Sequence, residues 1–376
     1  MKKSLLFFCF SCCLVNQSLA YQISPISNEN ELSGVSLEKN IFYANPARMI
    51  GQNSHVGVLL DKIQTTSKTT LLNNDETLIQ DHKYKSDIVG FGFSNALGSE
   101  AEFSLLAVRN FAELKSTRES EEVRELFNHT IYSGKFSALL GPNLYGGLAF
   151  HYTQENADLI GSFNTSTRTK FKGNLTNIST GISYNGNPIK VDGFYLQPSV
   201  GKASILGEDK RISEPGLIHI GLGYHLNQNQ SFQTEYTRVL YKHDDRRLGT
   251  TTADANQTNI SLEGLAFENF MFLTTRLGLG LKIPMNTLLN AHLMIYQLQY
   301  QLWTDQDSLP GKSAEDNSRK SYAAKFGTHI IRQQLQLSLG VFYEIRDWSL
   351  DNSPLSQEGD YKAKKLHLSS QISFEL

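Results

Sequence analysis

The sequence predicts an all-β fold, a 14-stranded antiparallel transmembrane β-barrel. Two observations predict it: the connections sort into short and long, and the segments between them alternate polar and apolar residues. From Ser54 to Leu376, seven long polar stretches alternate with six short turns, which leaves fourteen strands. Outer-membrane barrels have short periplasmic turns and long external loops. A soluble β-sandwich has no reason to sort its connections in this way.

The short connections are rich in residues that favour tight turns. Gly and Asn accept positive φ, and Pro presets a turn. The six short connections are Asn95–Gly98, Gly141–Asn143, Asn185–Asn187, Asn227–Gln230, Pro284–Thr287 and Arg332–Gln334. The seven long ones are Lys68–Asp81, Glu113–Val123, Gln154–Arg168, Ser204–Glu214, Asp244–Asn269, Thr304–Ser318 and Ser349–Tyr361.

The predicted strands have one apolar and one polar face, because strand side chains alternate with period two. In the strand 335–348, every second residue from Leu335 to Ile345 is apolar. Spanning a bilayer takes about 9–11 residues, so longer strands project beyond it. The predicted strands are 54–67, 82–94, 99–112, 124–140, 144–153, 169–184, 188–203, 215–226, 231–243, 270–283, 288–303, 319–331, 335–348 and 362–376. The stretch 254–283 could add further strand, so a count of sixteen stays open.

The N-terminus resembles a secretory signal. Lys2 and Lys3 precede a short apolar core, and Ser18-Leu19-Ala20 fits a cleavage site before Tyr21. The domains are therefore predicted as a signal peptide at 1–20, an N-terminal segment at 21–53 and the barrel at 54–376. A lipoprotein cut at Cys12 is the alternative, although Cys9-Phe10-Ser11 is a poor lipobox. The three cysteines lie inside the signal, so the mature chain has no disulfide or thiolate site. After Ala20 no apolar run reaches the roughly 18 residues of a spanning helix.

Two features near the strand ends fit a barrel in lipid. The last strand carries Leu366, Leu368, Ile372, Phe374 and Leu376 on one face, which resembles the terminal strand that the barrel-insertion machinery recognises. Trp303 and Trp348 end two strands just before long connections. Tryptophan prefers the lipid–water boundary, so both are expected in an aromatic girdle, with packing beneath the loops as the alternative.

A short motif in the N-terminal segment narrows the family. Phe42 and Tyr43 precede an Asn45-Pro46-Ala47 box a few residues before the first strand. Asn45 can bond to its own backbone and start a turn, Pro46 fixes φ, and the small Ala47 permits close packing. An aromatic pair and this box ahead of a fourteen-stranded barrel resemble the FadL-type channels, the long-chain fatty-acid and hydrocarbon transporters of bacterial outer membranes.

The resemblance implies that 21–53 folds into the lumen as a hatch, with Phe42, Tyr43, Asn45, Pro46 and Ala47 as its hatch motif. It also implies a monomer that takes up hydrophobic small molecules, such as long-chain fatty acids, passively after capture in external loops. Leu71, Leu72, Leu78 and Ile79, together with Leu262, Leu265, Phe267 and Phe270, could build that capture groove, and ordinary loop packing is the alternative for them. Family members have a kink in the third strand, but 99–112 contains neither Gly nor Pro. Pro198 is the candidate kink here, because it breaks a ladder bond, and a bulge at the membrane edge is the alternative.

Composition and motifs exclude several other classes. There is no nucleophile elbow, zinc-protease motif or P-loop, so we expect no enzyme, cofactor or metal site. The net charge is −2 and no basic stripe suggests nucleic acid. A polar-solute porin and a structural or adhesive barrel remain the alternatives. The expected partners are outer-membrane lipid, a hydrophobic substrate and the insertion machinery.

Overall fold

The computed structural model is built almost entirely from long antiparallel strands. It describes residues 45–47, 54–73, 76–118, 121–160, 168–205, 208–214, 216–227, 230–240, 271–285, 289–302, 318–349 and 358–376. The strands in the first half are β1 His55–Asn73, β2 Glu76–Ala96, β3 Ala101–Arg118, β4 Glu121–Gly141, β5 Leu144–Ile160, β6 Arg168–Asn185, β7 Ile189–Leu196 and β8 Ser199–Ile205. Those in the second half are β9 Glu208–Glu214, β10 Gly216–His225, β11 Gln230–Leu240, β12 Met271–Pro284, β13 Leu289–Leu302, β14 Ser318–Arg332, β15 Leu335–Ser349 and β16 Glu358–Glu375.

The strands close into a ring. Neighbouring strands in the ring pair antiparallel, β1 pairs with β16, and β5 pairs with β6. The β1–β16 ladder runs from His55 opposite Glu375 to Leu72 opposite Glu358. Beyond it, the Leu376 amide donates to the Ser54 carbonyl at 2.9 Å. This bond therefore extends the seam of the barrel by one further pair of residues.

The sixteen described strands make fourteen barrel strands. β7 and β8 both pair with β6 and form one barrel strand, interrupted at Gln197 and Pro198. In the next barrel strand, β10 pairs with β7 and β9 pairs with β8. Pro215 stands between β9 and β10 in the sequence. Merging these two pairs reduces sixteen elements to the predicted fourteen.

The described ladders also decide the strand count around 254–283. Residues 241–270 lie outside the described part of the chain, but the strands on either side of them pair directly. Gln230 to Tyr236 of β11 lie opposite Leu281 to Thr275 of β12. No additional strand is therefore inserted between these two, and the fourteen-strand prediction holds for the ring.

The two faces of the wall have the polarity of a membrane barrel. Exposed apolar side chains project outward from strand after strand, including Phe91, Leu148, Ile182, Leu279 and Ile295. The inward positions between them are buried and often polar, as at Ser86, Asn110, His151, Ser179 and Glu344. An apolar exterior around a polar interior is the pattern of transmembrane barrels. The predicted fold class is confirmed.

The predicted long connections were wrong where the strands extend outward beyond the predicted bilayer span. Lys68–Asp81 was predicted as a loop, but β1 and β2 continue through it and leave 74–75 between them. Leu71 and Leu78 are directly opposed strand residues, as are Thr70 and Ile79, so Leu71, Leu78 and Ile79 do not belong to a loop. Leu72 is likewise a strand residue, opposite Thr77. The same extension occupies most of Glu113–Val123.

The described residues contain two apolar clusters among the inward positions. One joins Leu59, Ile63, Ile88, Val108 and Ile131 on β1 to β4. The other lies on β13 to β16 and is largely aromatic, with Tyr296, Tyr300, Phe342, Trp348 and Tyr361 among its members.

No helix in the described part of the chain is long and apolar enough to cross a membrane.

Candidate functional site: a docked segment in the barrel lumen

The Asn-Pro-Ala box lies inside the barrel. Asn45, Pro46 and Ala47 are buried, and they bond to the inward side chains of Ser137 and Asp192 and to the backbone carbonyl of Ile182. Phe42 and Tyr43 lie outside the described residues, as do the remainder of 21–53 and the signal at 1–20. The box is therefore the part of the predicted hatch motif whose contacts can be followed.

Asn45 uses both ends of its amide. Its Nδ2 donates to the Ile182 carbonyl at 2.7 Å and to Asp192 Oδ1 at 3.2 Å. Its Oδ1 accepts a hydrogen bond from the Ala47 amide at 2.9 Å. The bond from the Ala47 amide closes a local turn of the kind that Asn favours, and the bonds to Ile182 and Asp192 tie that turn to β6 and β7. A buried amide that is satisfied in this way orients the segment as well as holding it.

Pro46 is held from the other side of the box. The Ser137 hydroxyl on β4 donates to the Pro46 carbonyl at 2.6 Å. Proline has no amide to donate, so its carbonyl is the only backbone group there that needs a partner. The box therefore bridges from β4 to β7, across four neighbouring barrel strands.

Two glycines make room for this docking. A Cβ at Gly147 on β5 would lie 2.1 Å from the Pro46 oxygen, and a Cβ at Gly181 on β6 would lie 2.0 Å from Asn45 Oδ1. Side chains at these positions would occupy the space that the box fills. Glycine inside a strand often marks such a close approach of another backbone. The wall therefore carries a recess shaped for the segment.

A histidine beside the recess connects the same strands by hydrogen bonds. The His151 ring on β5 bonds through Nδ1 to the Ser133 hydroxyl at 2.7 Å and through Nε2 to the Ser179 hydroxyl at 2.9 Å. Ser133 lies on β4 and Ser179 on β6, so the ring spans the three strands that carry Ser137, Gly147 and Gly181. It links the three strands that receive the box.

The lumen wall at β13 to β15 carries a buried polar network. Glu344 accepts hydrogen bonds from the hydroxyls of Tyr300 and Ser321, each at 2.7 Å. It also accepts two from Arg346, at 2.8 and 3.1 Å. The Arg346 guanidinium lies 4.8 Å from the centre of the Tyr300 ring. A bidentate pair with these further hydrogen bonds compensates for burying both charges.

Trp348 belongs to this inner wall, so the prediction that it lies in an aromatic girdle was wrong. Its side chain is buried, packs against Tyr300 and Tyr361, and donates from Nε1 to the Lys320 carbonyl at 2.7 Å. Side chains alternate along a strand, and Trp348 has the parity of inward Glu344 and Arg346. Trp303 lies outside the described residues.

The candidate kink is a one-residue bulge. Leu196 lies opposite Ser179 of β6, and Val200 lies opposite Thr176, so four steps along β7 and β8 match three steps along β6. Pro198 stands in this gap. Beside it, a Cβ at Gly201 would lie 1.7 Å from the Asn174 oxygen. By contrast, β3 pairs with β2 and β4 in unbroken register.

The described residues contain no group of His, Cys, Asp and Glu side chains able to hold a metal ion. The sequence identified Asn45, Pro46 and Ala47, but it missed Ser137, Gly147, Gly181 and Asp192. These partners are 91 to 147 residues away in the chain. Inward glycines in otherwise regular strands were the available signal.

Comparison with solved structures gives many matches to channels of similar shape. A Pseudomonas aeruginosa FadL homologue matches with a TM-score of 0.55 at 10% identity, covering 97% of this chain and 99% of that one. The Pseudomonas putida toluene transporter TodX matches with a TM-score of 0.54 at 10% identity, covering 97% and 99%. The Ralstonia pickettii toluene transporter TbuX matches with a TM-score of 0.52 at 11% identity, covering 94% and 98%.

No protein-family model matches the sequence, and a search of curated proteins finds no match either. At 10–11% identity the structural likeness establishes the fold, over nearly the whole length of both chains. The resemblance inferred from the Asn-Pro-Ala box and the strand count is confirmed at this level: the chain has the fold of the FadL-type channels.

Proposed function

We propose that the protein is a bacterial outer-membrane channel for passive uptake of hydrophobic small molecules, with residues 21–53 acting as a hatch in its lumen. The observation that carries the proposal is the docking of Asn45–Ala47 into the recess formed by β4 to β7. A segment held inside the barrel by buried hydrogen bonds narrows the path for water and ions.

The location in the outer membrane is supported by the apolar outer face. Spanning barrels are the alternative to helices in lipid, because both satisfy their backbone internally. The apolar terminal strand and the N-terminal secretory pattern support the same location. Solved structures with this fold are described as toluene transporters and a FadL homologue, which supports a hydrophobic substrate here. Long-chain fatty acids and small aromatic hydrocarbons are the two substrate classes to compare.

The mechanism needs no energy source. A hydrophobic molecule leaves the external medium for an apolar capture site near the outer strand ends, passes the hatch and is released down its gradient. The candidate capture residues Leu262, Leu265, Phe267 and Phe270 lie outside the described residues. Pro198 is the candidate site for a lateral path, because the ladder is interrupted there.

The proposal is tested with the full-length protein in vesicles. We expect it to speed the entry of a fluorescent long-chain fatty acid or of toluene, while a small sugar is excluded in a swelling assay. Empty vesicles and heat-unfolded protein provide the background rates. Fast sugar entry into vesicles with the intact protein would contradict the proposal and favour a polar-solute porin. Absence of transfer for both hydrophobic probes would favour a structural barrel.

A further inference from the structure

A groove crosses the outer surface of the barrel at the seam between its first and last strands. It has a volume of about 730 Å³ and lies over β2, β1, β16, β15 and β14. The residues that line the groove form two rows. In the first, here called the upper row, each residue is the ladder partner of the next on the neighbouring strand: Asp87, Lys62, Leu368, Val341 and Phe326. The groove therefore runs across the strands.

A second row runs parallel to the first. On each strand it lies two residues away from the upper row, and it includes Leu60 and Leu339. Both rows face outward, since Leu60, Leu339, Val341 and Phe326 are all exposed. Between the two rows, the floor of the groove includes Gly340, which has no side chain. An apolar cleft on the outer face of a transmembrane barrel opens toward lipid tails.

The groove is charged at its β2 end, whereas Phe326 and Thr328 line its β14 end. Lys62 and Asp87 form an ion pair at 3.6 Å, and both side chains are more than half exposed. Beyond Lys62 the outward positions of β1 are polar, at Gln64, Thr66 and Lys68. The charged end therefore marks the upper limit of the apolar band, where lipid phosphates lie.

The dimensions fit one acyl chain. Five strands spaced about 4.8 Å apart give the groove a length of roughly 19 Å. An acyl chain spans half of the hydrocarbon core, and this half is about 15 Å thick. The Ser370 hydroxyl, the polar group midway along the second row, donates to the Leu60 carbonyl at 3.2 Å. Because this hydroxyl has a partner within the wall, it does not require one from a ligand.

We infer that the groove is a binding site for an acyl chain of a phosphate-bearing membrane lipid, with the phosphate at Lys62. The lipid occupies the outside of the wall, so its site is separate from any path through the lumen. The inference rests on the membrane location proposed above. Flotation of the protein with vesicles tests that location by itself and distinguishes a failure to insert from a failure to retain lipid.

Lipid retention tests the inference. We expect full-length protein extracted from vesicles of phosphatidylglycerol and phosphatidylcholine to retain a single phospholipid in native mass spectrometry, with phosphatidylglycerol preferred. Ser370→Phe and Leu339→Trp should each abolish retention by filling the groove. Thr180→Phe adds the same ring at an exposed position on β6 and should retain the lipid. The heat-dependent gel mobility of each variant checks that its barrel has folded.

A matched pair of variants tests the charged end of the groove. Lys62→Gln should remove the preference for phosphatidylglycerol, whereas Lys68→Gln, further out on the same face of β1, should leave it intact. Retention that is unchanged by both groove-filling variants would overturn the inference, as would equal loss in Thr180→Phe. A complex that appears only as protein concentration rises would assign the groove to a second copy of the chain and overturn it as well.

Discussion

At the residue scale, the box is held by a small number of hydrogen bonds with defined directions. Asn45 donates to Ile182 and Asp192 and accepts from Ala47, so both ends of one amide are used. Leaving buried partners unsatisfied costs about 1–3 kcal/mol for each group. The docking of the segment therefore depends strongly on this single side chain.

Replacing Asn45 by Ala should release the box from the wall. The Asp192 carboxylate and the Ala47 amide each lose a buried partner, so the docked state is weakened by about 1–3 kcal/mol or more. The measurement is the labelling rate of a cysteine introduced at Ser137, whose hydroxyl contacts Pro46. Faster labelling in the Asn45→Ala background is the expected result.

The other side of this contact supplies the control. Asp192→Asn keeps an oxygen that can accept from Asn45, so labelling should stay slow. Asp192→Leu removes the acceptor and should speed labelling. If both replacements behave alike, the hydrogen bond between residues 45 and 192 does not hold the segment.

The sequence alone predicted the docked segment of this site but not the wall residues that hold it. Asn45, Pro46 and Ala47 form a contiguous box with a recognisable turn chemistry. Gly147 and Gly181 meet the box only after the ring closes, and nothing local in the sequence pairs them with it. Trp348 is a different case. The alternation of side chains from Leu335 to Ile345 already indicated which face of the strand Trp348 lies on, and that face is the inner one rather than the aromatic girdle.

At the element scale, the barrel wall differs in regularity between β3 and the strand made of β7 and β8. β3 pairs in unbroken register along both edges, whereas β7 and β8 are separated by Pro198. Proline gives no ladder hydrogen bond, so Pro198 reduces the number of amides that can bond across this part of the wall.

This interruption should be measurable by hydrogen exchange. The amides of Ser199 and Val200 are expected to exchange faster than those of Ala107 and Val108 in the middle of β3, because fewer ladder bonds must break. Exchange of the intact protein in detergent or nanodiscs, read by mass spectrometry of peptides, gives the comparison. Equal protection of the two segments would mean that the bulge does not weaken the wall.

The element boundaries were predictable on one side of the barrel only. The short turns predicted at Asn95–Gly98 and Gly141–Asn143 contain residues with defined turn chemistry, and the structure has turns at 97–100 and 142–143, within two residues of those bounds. The outer ends were not predictable, since strands above the membrane have polar residues on both faces. Periodicity in hydrophobicity fades there, while the ladder between β1 and β2 continues to Asn73 and Glu76.

At the scale of the whole molecule, two features were readable from the sequence. Alternating connections gave fourteen strands, and the ladder between β11 and β12 agrees with that count. Alternating side chains gave an apolar exterior. The position of the box inside the ring could be expected only from the family resemblance, because it depends on contacts between residues 91 to 147 positions apart.

Single-channel conductance in planar bilayers tests the central claim most directly. The intact protein should be nearly silent, whereas Gly147→Val and Gly181→Val should open large conducting pores, because their side chains exclude the box from its recess. Gly134→Ala and Gly193→Ala are the controls, since a Cβ at either position would have 3.7 Å of clearance, and they should stay silent. A large, steady pore in the intact protein, or silence in both valine variants, would contradict the account.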